Sequence, residues 1–534
     1  MMPSLRKKVA GFIRQLSVNN QNENVDQIDS GPSSGCFIQR YLSGHDVKQT
    51  EPVILHGRNP HELPRKNIGT IILGNQFSAV TGPDGGLTMV NRHQRHLSTS
   101  DPDVDYIDIQ QHVSDQERKN TDGVQQMSSP PSEVAGVLDW SRPHPRAYGA
   151  ATTLYERHPL TKQHAGSPIA DCFALVARTN SAILTLADGV NWGEKACIAA
   201  RSAVHGCVDY LNKAVFTSGN ITNTTEVFVS LLRSFHAAHS LILQEAGMLT
   251  TLTTALVLPL ADSDRFVTCI CNVGDSLSYV YSAQHGVREI TKGSHDIHCM
   301  RDMRDALGAL GPVDGQNPEL NNLTCSMTEV ESGDIVFITS DGVSDNFDPV
   351  VGKFAVLPPS ENLNLKVPPG TVKTSCTAAN HGTSKFPCED FPSSSSLPTV
   401  QAYQRHELSL LRMDDLLKNG VSGNGPPCQD AKTLCEMLLD FATRLTAAKR
   451  HILEDPDLYY TTVEGSTEVT ELSRAEQRSR RRKVCEKLAM VPGKLDHATV
   501  VAYQVGVYRG NENDGGISAP HIRSDDDLLV ETVL

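Results

Sequence analysis

Four aspartates in this 534-residue chain each stand at one end of a strand-like run. They occur in Ile-Ala-Asp171-Cys-Phe, Leu-Ala-Asp188-Gly-Val, Thr-Ser-Asp341-Gly-Val and Leu-Asp496-His-Ala-Thr. Rigid strand ends can hold carboxylates that converge on one point, and Mg²⁺ and Mn²⁺ prefer several oxygen ligands in near-octahedral geometry. The glycine that follows two of these aspartates lets the backbone approach, so that its carbonyl can also bind an ion. The spacing therefore predicts a divalent-cation site.

Two such ions about 3.5–4 Å apart lower the pKa of a bridging water and stabilise both the attacking and the leaving oxygen of a phosphoryl transfer. No amino-acid nucleophile is then required. Taken singly, an Asp-Gly pair is more often a simple turn. Four such segments in series favour the metal site over the turn.

The order of the segments resembles that of the protein phosphatase 2C family of metal-dependent Ser/Thr phosphatases, over about residues 165–350 and 430–507. The most specific match is Asn272-Val-Gly-Asp-Ser276, which lies between Thr253-Thr-Ala255 and Ser340-Asp-Gly-Val-Ser-Asp345. The resemblance implies an α+β fold, a four-layer α/β/β/α sandwich of two antiparallel sheets. It also implies a metal-dependent protein Ser/Thr phosphatase that hydrolyses phosphoserine and phosphothreonine in phosphoproteins with two Mn²⁺ or Mg²⁺ ions.

The same resemblance assigns roles to individual residues. Asp188 would bridge both ions and hold the nucleophilic water, and Asp171 with the Gly189 carbonyl would bind one of them. Asp341 and Asp496 would bind the other ion. Two further aspartates leave alternatives open: Asp345 fits a third, weaker metal site or a helix N-cap, and Asp275 is expected to shape its hairpin rather than bind metal.

Several positions depart from the family pattern. Ala170 stands where the family usually has a second acidic residue, Val190 where many members have a histidine proposed to protonate the leaving group, and Leu252 where a glycine is usual. The arginine that grips the substrate phosphate in many members would fall near Gly166. Either Lys162, His164 or Arg157 binds the substrate phosphate in place of that arginine, or no residue does.

His497 replaces an Asp or Asn of the family pattern. Because the ordinary pKa of histidine lies near neutrality, His497 is a candidate for proton transfer. The core carboxylates favour a working phosphatase. The departures favour the alternative, a catalytically weak or inactive pseudophosphatase that serves as a regulatory or scaffold module.

Apolar periodicity indicates how the chain positions these residues. Helical spacing predicts helices over about 194–215, 225–246 and 430–446. Strand-like runs cover 181–187, 252–260, 265–273, 277–282, 334–340 and 498–505. Strand runs and helix runs that segregate along the chain are typical of an α+β sandwich.

Composition predicts the organisation of the chain. Residues 1–148 are polar and are expected to be mostly disordered, with one or two short strands. A phosphatase-like domain is expected over 149–508, interrupted by a low-complexity insertion at about 351–428, and an acidic flexible tail over 509–534. Residues Leu5–Leu16 could form an amphipathic helix at a membrane surface or a frayed terminal helix.

The formal net charge of −14 disfavours nucleic-acid binding. A metal-dependent nuclease or nucleotide hydrolase would also use clustered carboxylates, but the chain has neither a P-loop nor a basic face for it. The basic run Arg478–Lys483 is interpreted as a solvated helix face. With no signal peptide and no run long enough for a transmembrane segment, we expect an intracellular monomer, in the cytoplasm or alternatively in the nucleus.

The chain ends in Glu531-Thr-Val-Leu534. Thr532, Leu534 and the free carboxylate resemble the ligand of a PDZ-type domain, which adds such a tail as a strand and captures its carboxylate. Endings of this kind also arise by chance.

Overall fold

The computed structural model describes residues 52–73, 76–90, 133–217, 221–299, 306–358, 397–462 and 469–508, and short pieces at 42, 95–96 and 107–108. The predicted helix at Leu5–Leu16 and the predicted PDZ ligand with Thr532 and Leu534 lie outside these residues, as does the part of the predicted insertion between 359 and 396. The described cysteines are free thiols. Among the described residues, no helix is both long and apolar enough to cross a membrane.

Strands and helices are numbered in chain order. The strands are β1 (Leu55–Gly57), β2 (Ser78–Gly82), β3 (Arg95–His96), β4 (Ile107–Asp108), β5 (Ser141–Arg142), β6 (Ala147–Thr153), β7 (Cys172–Arg178), β8 (Ser181–Ala187), β9 (Leu252–Pro259), β10 (Phe266–Val273), β11 (Leu277–Ser282), β12 (Gly286–Glu289), β13 (Ala309–Asp314), β14 (Asn317–Glu319), β15 (Thr324–Val330), β16 (Ile335–Thr339), β17 (Tyr460–Thr462), β18 (Val469–Glu471) and β19 (His497–Gln504). The helices are α1 (Glu194–Leu211), α2 (Thr224–Gln244), α3 (Asp341–Ser344), α4 (Ala402–Asn419), α5 (Ala431–Leu453) and α6 (Arg474–Met490).

Two antiparallel sheets form the centre of the fold. The larger has eight strands in the order β1-β15-β10-β9-β8-β7-β2-β5, and the smaller has five in the order β12-β11-β16-β19-β6. Short turns join β7 to β8 and β9 to β10, as expected for antiparallel neighbours. Strands β3 with β4, β13 with β14 and β17 with β18 form separate two-stranded pairs.

The sheets pack face to face, and helices cover both outer faces. Helices α1 and α2 share a core with the larger sheet, and α4 and α5 share a second core with the smaller one. A third core lies between the sheets. In β8, Ile183 packs toward the helices whereas Leu184 packs between the sheets. Because both faces are covered, central strands are apolar runs without alternation, and the predicted four-layer α+β sandwich is confirmed.

The N-terminal segment 1–148, which the sequence predicts to be mostly disordered with one or two short strands, contributes strands to both sheets. Strands β1 and β2 pair with β15 and β7 of the larger sheet, and β6 begins at Ala147 in the smaller sheet. Helix α4, which the sequence analysis did not predict, lies within the range of the predicted insertion. It buries Leu408, Met413 and Leu416. The basic run Arg478–Lys483 lies on α6, a helix with no buried residue.

Candidate metal centre

The larger sheet places two of the predicted aspartates at one end. Strands β7 and β8 are antiparallel neighbours, and Cys172 pairs with Ala187. Asp171 directly precedes β7 and Asp188 directly follows β8, so both carboxylates lie at the same edge of the sheet. The short connection between the two strands is enough to produce this placement.

The smaller sheet places the other two predicted aspartates, Asp341 and Asp496, at one of its ends. Strand β16 pairs antiparallel with β19, and Thr339 lies opposite Val500. Asp341 follows β16 as the first residue of α3, and Asp496 precedes β19. Unlike the first pair, these two aspartates are far apart in the chain, so their proximity depends on the long-range pairing of the sheet.

Packing of the two sheets brings the four carboxylates together. The Thr499 hydroxyl on β19 donates a 2.7 Å hydrogen bond to Asp171 Oδ2, which links the two sheets at this end. Loss of water contact raises the pKa of Asp188, and the carboxylates of Asp171, Asp341 and Asp496 raise it further. The structure therefore joins all four predicted aspartates in one like-charged cluster.

Asp171 is the most deeply buried member of the cluster. Its side chain has no exposed surface, and its Oδ1 has no hydrogen-bond partner in the described part of the chain. Burial raises the pKa of this carboxyl, although the hydrogen bond from Thr499 acts in the opposite direction. A buried carboxylate oxygen without a partner is costly, and a bound cation would remove that cost.

Two glycines allow backbones to meet at the site. A Cβ atom at Gly189 would lie 2.6 Å from the Ala196 carbonyl oxygen, and one at Gly342 would lie 1.7 Å from the His497 carbonyl oxygen. Neither position can hold a side chain without moving the backbone. Glycine is therefore required at both positions by backbone packing, and binding of an ion by the Gly189 carbonyl stays a prediction.

The turn Asn272–Ser276 supports the loop that carries Asp188. The Asp188 N–H donates to Thr251 Oγ1 at 3.0 Å, and that hydroxyl lies 2.8 Å from Ser276 Oγ. Gly274 has φ of +99°, a conformation that favours glycine. Asp275 is buried and contributes to the raised pKa of Asp188, so it lies near the cluster as well.

A lysine that the sequence analysis missed lies among the carboxylates of the smaller sheet. The Lys494 ammonium donates to Asp341 Oδ2 and Asp345 Oδ2, the latter at 2.9 Å, and lies 3.1 Å from Asp496 Oδ2. Burial lowers the pKa of this ammonium, but the three carboxylates outweigh burial and raise it well above its usual range. Asp345 is the first residue of a 3₁₀ turn whose N-cap is Ser344, so Asp345 is not an N-cap itself.

The two halves of the cluster therefore differ in their fit to a cation. On the larger sheet, Asp171 and Asp188 offer carboxylate oxygens, and no lysine or arginine in the described part of the chain forms an ion pair with either of them; Asp188 is partly exposed. This half fits a hard divalent ion. On the smaller sheet, the Lys494 ammonium already occupies the space between Asp341, Asp345 and Asp496, so a second ion fits there only if Lys494 moves.

Comparison with known proteins shows the family to which this chain belongs. The sequence model of the family described as Protein phosphatase 2C matches residues 161–359. The PP2C-like domain-containing protein CG9801 of Drosophila melanogaster is 38% identical to this chain, and the alignment covers 98% of the chain and 99% of that protein. The chain belongs to the protein phosphatase 2C family.

Solved structures of similar proteins are more distant. The catalytic domain of the serine threonine protein phosphatase PstP, in complex with two manganese ions, is 20% identical, covers 38% of this chain and 82% of its own, and has a TM-score of 0.25. The photosystem II phosphatase PBCP is 15% identical, covers 68% of this chain and 99% of its own, and has a TM-score of 0.32.

Two aromatic side chains flank the protein phosphatase 2C-like centre. Tyr155 follows β6, and its hydroxyl donates to Asp496 Oδ1 at 3.2 Å. Its ring stacks on Trp192, with ring centroids 5.8 Å apart. Trp192 is 59% exposed. Sequence reasoning missed Tyr155, although β6 pairs with β19 and so must end beside Asp496.

Among the described residues, the structure does not single out a replacement for the family's phosphate-binding arginine. Arg157 Nε donates to His164 Nε2 at 2.6 Å, so these two candidates pair with each other. Lys162 is exposed in the adjoining turn with φ of +60°. A phosphate-binding role for Arg157, Lys162 or His164 stays a prediction.

His497 is held by the backbone on both sides. Its Nδ1 accepts from the Ala170 N–H at 3.3 Å, its Nε2 donates to the Gly166 carbonyl at 3.0 Å, and its side chain is buried. This pattern requires the neutral ring with a proton on Nε2. The arrangement gives His497 a structural role, connecting the segment 166–170 to β19.

His497→Gln is therefore expected to lower the free energy of unfolding by about 1–3 kcal/mol, because it leaves a buried backbone group unpaired. Urea denaturation of the variant measures this loss, with the exposed His451→Gln as the matched control. If His497 also transfers a proton, the rate of hydrolysis by the variant will fall and will lose its dependence on pH between about pH 6 and 8.

Proposed function

We propose that this chain is a metal-dependent protein serine/threonine phosphatase that hydrolyses phosphoserine and phosphothreonine in phosphoproteins. The observation that supports the proposal most directly is the convergence of Asp171, Asp188, Asp341 and Asp496 from the ends of two packed sheets. Family membership supports the same class of reaction. Hydrolysis by metal-activated water requires a carboxylate cluster of this kind and no protein nucleophile.

Each residue of the centre has a proposed task. Asp171, Asp188 and the Gly189 carbonyl would hold one Mn²⁺ or Mg²⁺ ion, and Asp341 with Asp496 would hold the second after Lys494 withdraws. Bound ions of this kind lower the pKa of coordinated water and offset the negative charge that develops on the phosphoryl group. Asp188 would accept a hydrogen bond from the attacking water and keep it oriented.

The surrounding residues would keep these carboxylates in place. Thr499 fixes one oxygen of Asp171, and Tyr155 fixes one oxygen of Asp496. The Lys494 ammonium, released from Asp341, could pair with a phosphate oxygen of the substrate. A positioned cation contributes to catalysis where negative charge develops.

The deciding experiment is a phosphatase assay on the purified full chain with a phosphothreonine peptide. We expect hydrolysis that requires Mn²⁺ or Mg²⁺ and stops when a chelator removes the ions. The matching phosphotyrosine peptide serves as the control for specificity. An absence of turnover over a range of metal concentrations, with protein that binds metal and is folded, would contradict the proposal.

Two observations favour a second candidate, a pseudophosphatase that binds through the same site without turnover. Lys494 neutralises the carboxylates that would bind the second ion, and Ala170 lacks the acidic side chain usual at its position. A chain of this kind would bind a phosphopeptide without hydrolysing it. Fluorescence titration with a labelled phosphothreonine peptide, followed by analysis for released phosphate, distinguishes the two candidates.

A further inference from the structure

A second group of potential metal ligands lies on the helix-covered face of the smaller sheet. Glu289 ends β12, His295 follows the next turn, and His406 lies in the first turns of α4. Each offers one ligand atom, and the three atoms all lie within 4.8 Å of one another. None of these residues belongs to the aspartate cluster.

The geometry centres on the Glu289 carboxylate. His295 Nε2 lies 2.8 Å from its Oε1, and His406 Nε2 lies 2.6 Å from its Oε2. The Glu289 side chain is 1% exposed, and the two imidazoles are about 15% exposed. The Thr291 hydroxyl donates to Oε1 at 3.1 Å and orients the carboxylate, as outer-shell partners do in metal sites.

A small cavity adjoins the three side chains. Its volume is about 110 Å³, and its lining includes Glu289, His295, His406, Asp296 and Cys299. Room for a water molecule or for a fourth side chain is therefore available beside the three ligand atoms.

We propose that Glu289, His295 and His406 bind a Zn²⁺ ion, with the fourth ligand position open to this cavity. Two imidazole nitrogens and one carboxylate oxygen form a ligand set that suits zinc, whereas Mg²⁺ and Mn²⁺ prefer oxygen ligands. Ligand atoms around a tetrahedral Zn²⁺ lie roughly 3.4 Å from one another. The two distances between imidazole nitrogen and carboxylate oxygen, 2.8 and 2.6 Å, would lengthen by roughly 0.6–0.8 Å to reach that separation.

The ion would attach α4 to the part of the protein that carries Asp341 and Asp345. Arg405, next to His406, forms a 2.6 Å ion pair with Asp348. Asp348 follows the turn that contains Asp345, and Asp345 also lines the cavity. Zinc would thus stabilise the docking of a helix beside the segment that carries Asp341 and Asp345. The proposal does not depend on phosphatase activity.

The test uses the full chain, stripped with a chelator and titrated with Zn²⁺ in excess Mg²⁺, which saturates oxygen-only sites. We expect one tightly bound zinc per chain and two imidazole nitrogens in its X-ray absorption spectrum. His406→Ala should weaken zinc binding at least about 100-fold. The exposed neighbour His298→Ala should leave the affinity unchanged.

Other outcomes would overturn the proposal. Equal zinc affinity in wild type and His406→Ala, or a spectrum with oxygen ligands alone, would place the ion elsewhere. No zinc binding by the folded wild type would mean that the cluster is a hydrogen-bonded His–carboxylate–His clamp. Because His406→Ala could disturb α4, Glu289→Gln provides a second variant, and circular dichroism checks that each variant is folded.

Discussion

Asp188→Asn is expected to reduce metal-dependent phosphatase activity at least about a thousandfold, the factor that corresponds to roughly 4 kcal/mol of transition-state stabilisation. Asp188 has the central place among the four carboxylates, since all three others raise its pKa. Asparagine keeps its shape but supplies no negative charge for an ion. Steady-state assays in Mn²⁺ measure the loss, and Asp341→Ala is expected to give a loss of similar size.

The same substitution is expected to make the metal-free protein more stable. The pKa of Asp188 is higher in the fold than in the unfolded chain, so ionisation of Asp188 near neutral pH opposes folding. The metal-free wild type should therefore lose stability as the pH rises from the ordinary aspartate range toward neutrality, and Asp188→Asn should lose less. Thermal unfolding at several pH values measures the difference.

The matched control for Asp188→Asn is Asp440→Asn, which removes a carboxylate from an exposed pair with Arg444 on α5. This control should change neither activity nor stability by a measurable amount. Two outcomes would show that Asp188 is not the centre of a metal-binding carboxylate cluster. The Asp188→Asn variant could keep the wild-type rate in Mn²⁺, or it could be less stable than the wild type without metal.

The sequence predicts elements whose signal is local. Strand β11 has the predicted bounds Leu277–Ser282, and α2 begins at Thr224 beside the predicted 225. Helix α5 extends to Leu453, beyond the predicted end at 446, because its last turns still bury Ile452 and Leu453. Helix α4 escaped prediction, since the segment before it is rich in Pro, Ser and Thr and its own buried residues are widely spaced.

The aspartates of the site could be predicted because each is adjacent to its own strand. Lys494 could have been found on the same basis, since residues two apart in an extended chain point to the same side and Lys494 precedes Asp496 by two. Lysine side chains are usually solvent-exposed, however. Lys494 is partly buried because the pairing of β16 with β19 brings Asp341 close to Asp496. The pairing of Glu289 with His406 spans 117 positions and has no local signal at all.

The structure also explains how the chain accommodates Ala170, where the family usually has an acidic residue. Ala170 is fully buried. Its N–H donates to His497 Nδ1, and its carbonyl accepts from the Gly189 N–H at 3.3 Å. The two departures at 170 and 497 are therefore joined by a direct contact, which separate inspection of the two motifs does not reveal.

Lys494→Gln is expected to convert the site from one that binds a single Mn²⁺ ion tightly into one that binds two. In the wild type, an ion that enters between Asp341 and Asp496 must displace an ammonium held by three carboxylates. Glutamine removes that competing charge and leaves the oxygen ligands in place. Isothermal titration calorimetry should show a second site whose affinity for Mn²⁺ is at least about tenfold higher than in the wild type, a gain of about 1.4 kcal/mol.

The metal-free variant should be less stable than the wild type by about 2–4 kcal/mol, because removal of one partner leaves partly buried carboxylates uncompensated. Addition of Mn²⁺ should restore this stability, so the thermal shift on metal binding becomes larger than that of the wild type. Lys432→Gln, which removes a lysine from the exposed pair with Glu436 on α5, is the matched control and should change stability by less than about 1 kcal/mol.

Lys494→Arg separates the effect of charge from that of side-chain shape. Arginine keeps the positive charge among Asp341, Asp345 and Asp496, so this variant should bind Mn²⁺ with the stoichiometry of the wild type. If Lys494→Gln and the wild type bind the same number of ions with equal affinity, Lys494 does not compete with the second ion. The carboxylates of the smaller sheet would then bind metal with the ammonium still in place, and Lys494 would act on the substrate rather than on the ion.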